Sequence, residues 1–414
     1  MEKAKEYLNF VIVGHVDHGK STLIGRLLYD TNSLPEGLID EVKKTCDMLG
    51  RELEFAFILD SLEEEREQNI TIDTTQTFFK TKKRDYVIID APGHKEFIKN
   101  MVTGASQAEA AILIVDAKEG IKEQTKRHSY VLSLLGIKQV IVVVNKMDLV
   151  GYQVEEYNKI KRELLKFLSN VNIRPRYVIP ISAKEGDNII YKAGNMSWYS
   201  GITVLEALDS FIPEKNIEDR PLRFPVQDVY KIDEKRINVG RVESGIIKKG
   251  EKIVILPEGK KTRVKSVEKY LQQVTKAKAG ESTGIVTEDA FFLDRGMVIC
   301  HEHNQPRVTN RITANVFWMA KLPFDLSQPI TMKLATQEIR CKVERIIQKI
   351  NSSTLEKIEE DMGCLRELEV GTIVLKTSNL IVVDNFNQVP GLGRFVFELD
   401  GNTCAGGIIT ETGK

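Results

Sequence analysis

Five near-continuous apolar runs rich in Val and Ile punctuate the first half of the chain, at residues 8–13, 86–89, 111–115, 139–144 and 177–181. Runs without polar alternation predict strands covered on both faces, as in a parallel sheet. Stretches with helical spacing lie between them and after the last, at 20–29, 95–104, 123–135, 154–169 and 204–211. Strand and helix in alternation predict a doubly wound α/β domain over residues 1–213. At Ile212 the texture changes: Pro213, Pro221 and Pro225 stand among charges and read as a stiff, solvated linker. Beyond it helical spacing nearly vanishes. Short segments such as FPVQDVY, INVGRVES, EKIVIL, TRVKSVEKY, STGIVTE and MVICHE are separated by turn residues, including Lys249-Gly250 and Glu258-Gly259. They predict a small antiparallel β-barrel over 220–304, and after a second turn-rich break another over 308–414.

At 414 residues the chain has room for two to four domains, and 42% hydrophobic residues supply real cores. Lys plus Arg and Asp plus Glu both number 59, so the net charge is zero and a general nucleic-acid coat is not expected. No apolar run approaches the ~20 residues that span a bilayer, and the N-terminus lacks a secretory pattern, so a soluble cytoplasmic protein is expected. Five scattered cysteines without a C-x-x-C pair read as reduced, buried thiols.

The chemistry lies at the tips of the predicted strands. Gly14-His15-Val16-Asp17-His18-Gly19-Lys20-Ser21, followed by Thr22, fits G-x-x-x-x-G-K-[ST] between the first strand and the first helix. Such a loop turns backbone N–H groups toward a β-phosphate; Lys20 adds positive potential and the Ser21 hydroxyl is a Mg²⁺ ligand. Asp90-Ala91-Pro92-Gly93-His94 closes the second run. There Asp90 would hold Mg²⁺ through water, the Gly93 N–H would sense a γ-phosphate, and His94 would orient the attacking water. Asn145-Lys146-Met147-Asp148 closes the fourth run, and the Asp148 carboxylate can accept from N1–H and the 2-amino group of guanine. Ser182-Ala183-Lys184 follows the fifth and can offer a backbone N–H to guanine O6.

GHVDHGKS, DAPGH, NKMD and SAK in this order resemble the signature of the translation-factor class of P-loop GTPases. That resemblance implies GTP and GDP as nucleotides and Mg²⁺ as the metal. The segment EREQNITID at 65–73 resembles the first switch of that class, which implies that Thr71 reaches Mg²⁺ and the γ-phosphate, and that Val16 and Ile70 gate His94. Catalysis is thus expected of His94, Thr71 and Lys20, and metal ligation of Ser21, Thr71 and Asp90.

Within the class, GRLLYDT, NVFWMAKLP, ITMKLATQEIRCKVERI and LGRFVFELDGNTCAGGII resemble the GTPase subunit of sulfate adenylyltransferase (CysN). This implies a smaller, CysD-like catalytic partner that makes adenosine 5′-phosphosulfate from ATP and sulfate. The alternative is an elongation factor-like GTPase that delivers aminoacyl-tRNA; His15, His18 and Ala91 take that form, and MSWYSG and RFPVQDVY are common to both. His301 and His303 flank Glu302 and, without a third ligand nearby, read as a solvated strand face. The basic run at 260–265 alternates with Thr and Val, as the wet side of a barrel strand would. Trp198 and Trp318 read as packing anchors.

Overall fold

The computed structural model describes residues 7–48, 50, 55–58, 76–89, 108–212, 217–232, 235–269, 272–326 and 328–412. Thr71, Asp90, Gly93, His94, the switch-like segment with Ile70, and the helical stretch at 95–104 lie outside them. The chain divides into two compact units, Met1–Pro213 and Glu214–Lys414.

The first unit is a six-stranded sheet with helices on it. Its elements run β1 (Tyr7–Gly14), α1 (Lys20–Asp30), α2 (Leu38–Met48), β2 (Gln76–Lys80), β3 (Asp85–Ile89), β4 (Ala110–Asp116), α3 (Glu123–Leu134), β5 (Gln139–Asn145), α4 (Val154–Asn170), β6 (Tyr177–Pro180) and α5 (Val204–Asp209). The strand order is β2-β3-β1-β4-β5-β6, parallel except for the antiparallel edge strand β2. Every residue of β3 and β4 is buried, as the apolar runs require of strands covered on both faces. In register, Gly14 faces Ile114, Asp116 faces Asn145 and Val144 faces Pro180. The carboxyl ends of four strands therefore meet at one edge, where open α/β sheets hold their ligands.

The sequence pattern did not single out α2 and β2. Among its described side chains helix α2 buries Leu38, Val42 and Cys46, against Phe55 and Ile58 in a small satellite cluster. Strand β2 alternates over only four residues, Thr77 and Phe79 inward and Phe78 and Lys80 outward, which is too short to stand out.

In the second unit, strands between Phe224 and His301 pair antiparallel into a ring of six, with the 252–256 strand bonded to both its neighbours to close it. Strands between Arg307 and Thr412 form a second closed barrel of six. The basic run alternates as expected: Thr262 and Val264 point inward, while Lys261, Arg263 and Lys265 face solvent. One core spans both barrels, because Val254, Leu256, Val298 and Cys300 of the first pack with Ile312, Ile381 and Val383 of the second. Arg223, only 2% exposed, straps the two: its Nε and Nη2 bond the two oxygens of Asp384 at 2.6 and 3.1 Å, and Nη1 donates to the Asn304 carbonyl at 2.8 Å. Removing either partner would leave the other charge buried without compensation, at a cost of about 3–5 kcal/mol. Burial pushes the thiols of Cys300, Cys341 and Cys404 up to about 11, 12 and 12, so they stay protonated. Among the described residues no helix is long and apolar enough to cross a membrane.

Candidate functional site

The loop between β1 and α1 is shaped by two glycines. A Cβ on Gly14 would lie 2.4 Å from the Ile114 carbonyl oxygen, so the strand tip closes tightly on β4. Gly19 is left-handed (φ 92°), and a Cβ there would meet Asn145 Nδ2 at 2.3 Å. Gly19 is also the N-cap of α1, and among the described residues no side chain caps that helix. The N–H groups of its first turn, with Ser21 and Thr22 upon it, are what the loop offers an anion. Lys20 folds back over the loop, its Nζ 2.9 Å from the His15 carbonyl and 3.3 Å from that of Gly14. Asp17 is left-handed (φ 61°) and Val16 is exposed, its N–H donating to Gln124 Oε1 at 3.1 Å.

His18, counted with the phosphate loop from sequence, contributes its backbone there; its ring lies beneath the loop and is wholly buried. The Asp116 N–H donates to Nδ1 at 3.3 Å, and Nε2 is 3.8 Å from Glu119 without a hydrogen bond. The ring meets His15 edge-on at 5.1 Å. Burial pulls the imidazole below its ordinary value of 6.5, so it is neutral near pH 7.

Asn145 joins the motifs. Its Nδ2 donates to the His18 carbonyl at 2.9 Å, and its Oδ1 accepts from the Ala183 N–H at 2.9 Å. One buried amide thus holds the phosphate loop against the 182–184 loop. The Ala183 N–H, a candidate for guanine O6 from sequence, is spent on this bond. Lys146 is left-handed (φ 63°) and its Nζ pairs with Asp116 Oδ2 at 2.7 Å. Asp116 was not singled out from sequence, although it ends its apolar run as Asn145 ends the next. Burial alone would raise its carboxyl, but bonds from Lys146 and from the Glu119 and Lys118 N–H groups outweigh that and hold it below 3.8. Ser182 donates to Asp148 Oδ1 at 2.6 Å, leaving further lone pairs on the carboxylate for a base. Arg26 of α1 donates to the Lys184 carbonyl at 3.2 Å and so ties the same loop to the helix.

Elsewhere His301 pairs with Glu251 at 3.1 Å and stacks on His303, and no metal-binding cluster is found among the described residues.

The profile of the elongation factor Tu GTP binding domain matches residues 5–214, that of elongation factor Tu domain 2 matches 236–300, and that of the GTP-eEF1A C-terminal domain-like family matches 311–410. The chain is 39% identical over 423 residues to elongation factor 1-alpha of Methanocaldococcus jannaschii, covering 99% of both. It belongs to the elongation factor Tu/1-alpha family of GTPases. Elongation factor 1-alpha of Saccharolobus solfataricus is 39% identical over 98% of this chain and 97% of its own, and that of Pyrococcus furiosus 38% over 99% and 98%. A solved structure of sup35 complexed with GDP covers 99% of this chain and 95% of its own at 23% identity, with a TM-score of 0.47, too low to bear on the site. The expected fold, a P-loop domain followed by two β-barrels, stands, and GTP and GDP with Mg²⁺ are the ligands of this family's site.

The finer assignment does not stand. Full-length relatives named elongation factor 1-alpha overturn the sulfate adenylyltransferase subunit, and with it the CysD-like partner and the coupling to adenosine 5′-phosphosulfate formation. The expectation against a nucleic-acid partner outside the alternative is overturned by the same relatives: a net charge of zero fixes a sum, not where the 59 cations lie.

Proposed function

We propose that the protein is a cytoplasmic translation elongation factor, one that carries aminoacyl-tRNA in its GTP state and releases it after hydrolysis. One observation supports this reading above others: the match to elongation factor 1-alpha, 39% identical overall, covers both barrels as well as the nucleotide domain. In this reading residues 1–213 form the nucleotide domain, and 220–304 and 308–414 the two barrel domains.

The site residues take these roles. Backbone N–H groups from Gly14 to Gly19 and the first turn of α1, with Ser21 and Thr22, cradle the phosphates. Lys20 exchanges the Gly14 and His15 carbonyls for phosphate oxygens. Ser21, Thr71 and Asp90 supply hydroxyl and carboxylate oxygens, the donor set that suits Mg²⁺. Bound there, the metal would neutralise charge developing on the phosphates. His94 orients the attacking water, and Gly93 reports the γ-phosphate. Asp148 reads the guanine edge; Lys146 lies beside it, held by Asp116. Asn145 and the Ser182-Ala183-Lys184 loop hold that edge in register.

The test is protection of the aminoacyl ester. The full-length protein with GTP should slow deacylation of aminoacyl-tRNA, and with GDP it should not. Equal deacylation in both states would remove the carrier reading and leave the GTPase.

A further inference from the structure

MSWYSG takes no part in the nucleotide contacts just described, yet it sits behind them. Asp148 lies in a short helical turn, Met147–Val150, followed by Gly151 (φ 59°) and Tyr152 (φ 57°). A left-handed aromatic residue is costly and persists only where its surroundings enforce it. Three contacts enforce this one. The Tyr152 N–H donates to the Met147 carbonyl at 2.8 Å, its own carbonyl accepts from Trp198 Nε1 at 2.9 Å, and its hydroxyl donates to Asp187 Oδ2 at 2.9 Å. Trp198 is itself fixed against the Tyr157 ring, centroids 5.2 Å apart. From Asp187 the chain of bonds returns to the base-reading groups: its N–H donates to the Ser182 carbonyl at 3.1 Å, and Ser182 Oγ donates to Asp148 Oδ1 at 2.6 Å. The two loops that read the base are thus closed into a ring: Ser182 crosses between them at the carboxylate, and Tyr152 crosses between them behind it.

We infer that Tyr152, locked by Trp198, is a positioning residue for guanine selectivity; this rests on the reading of Asp148 as the guanine reader. A carboxylate that rotates still accepts from N1–H, through whichever oxygen faces it. Accepting from the 2-amino group at the same time demands a fixed rotation, and the ring fixes it. Opening the ring should therefore weaken guanine nucleotides more than hypoxanthine nucleotides, which lack the amine.

Equilibrium titration of the full-length protein with GDP and IDP measures this. The parent protein should prefer GDP by about tenfold to a hundredfold, the worth of one hydrogen bond to a charged group. Tyr152→Phe removes only the hydroxyl, and Trp198→Phe keeps an aromatic ring against Tyr157. Each should lower the GDP-to-IDP ratio by about threefold to tenfold, part of that hydrogen bond. Asp187→Ala opens the ring from the other side and should match Tyr152→Phe. If both nucleotides weaken equally and the ratio holds in all three variants, the ring is only structural and the inference is overturned. A parent protein that does not distinguish GDP from IDP would instead overturn the guanine reading, and the inference with it.

Discussion

Asn145→Ala attacks the joint between phosphate loop and base loop. The side chain is 2% exposed and bonds two backbone groups, the His18 carbonyl and the Ala183 N–H, each at 2.9 Å. Truncation leaves both without that partner in the interior. A buried polar group stripped of its partner costs about 1–3 kcal/mol, so the two together come to about 2–6 kcal/mol. If water enters the small space, the lower end applies. At 1.4 kcal/mol per factor of ten, even ~2 kcal/mol corresponds to about thirtyfold in local opening. Amide hydrogen exchange on the full-length protein, resolved by peptide mass spectrometry, reads this directly. Peptides across residues 14–22 and 181–186 should lose about thirtyfold protection or more, while those from the second unit stay unchanged. Asn145→Asp separates the arms. It keeps an acceptor for Ala183 but turns an oxygen toward the His18 carbonyl, so only the 14–22 peptides should open. Protection of the 181–186 peptides within threefold of the parent in Asn145→Ala would refute the joint.

Two further outcomes follow from the same geometry. Asp148→Asn presents an amide to the base, so preference should move from guanine toward xanthine nucleotides; competition between GDP and XDP checks it, and unchanged preference removes Asp148 as the reader. His18 is buried with its imidazole held below 6.5, so the unfolded chain takes up its proton first as the pH falls. Its contribution is present above 6.5 and is lost as the pH falls through its lowered folded value. Urea unfolding of nucleotide-free protein between pH 7.5 and 5.5 should show stability falling, and His18→Gln should flatten that slope.

The strands of the first unit were legible because their environment leaves one signature. Val140 to Val144 are all fully buried, and only a strand covered on both faces tolerates five such residues in a row. Helix α2 was not legible because Leu38, Val42 and Cys46 cover a satellite cluster, a stripe too narrow to outweigh the charges around it. At the site, residue types were legible and directions were not. His18 stands in a phosphate-loop motif, yet its ring is wholly buried and accepts from the Asp116 N–H, while Asn145 holds its carbonyl. Nothing in NKMD or SAK states that one amide bonds both loops. That depends on β1, β4, β5 and β6 ending side by side, a property of sheet order. Asp116 had a readable signal: it closes a strand as Asn145 does, and register places the two opposite each other.

The partner was misread for a physical reason that the second barrel makes visible. Three of the four stretches that suggested a sulfurylase subunit supply Val316 and Trp318, then Ile330, Met332, Leu334, Cys341, Val343 and Ile346, then Leu392, Phe395, Phe397, Cys404, Ala405 and Ile409, all in one core. Their pattern records how a six-stranded barrel fills its interior, a demand common to GTPases that share the architecture. Outward residues of the same strands, such as Lys333, Glu338, Arg340 and Lys342, stand outside that core, Lys333 paired with Glu398 at 2.7 Å, and form the surface that a partner would reach. Likeness in inward positions therefore argues for the barrel and is silent about what docks on it. A partner must be argued from the outward ones: under the proposed carrier reading, charge-reversing variants at those four positions should weaken aminoacyl-ester protection if this face of the barrel takes part, and unchanged protection would exclude the face.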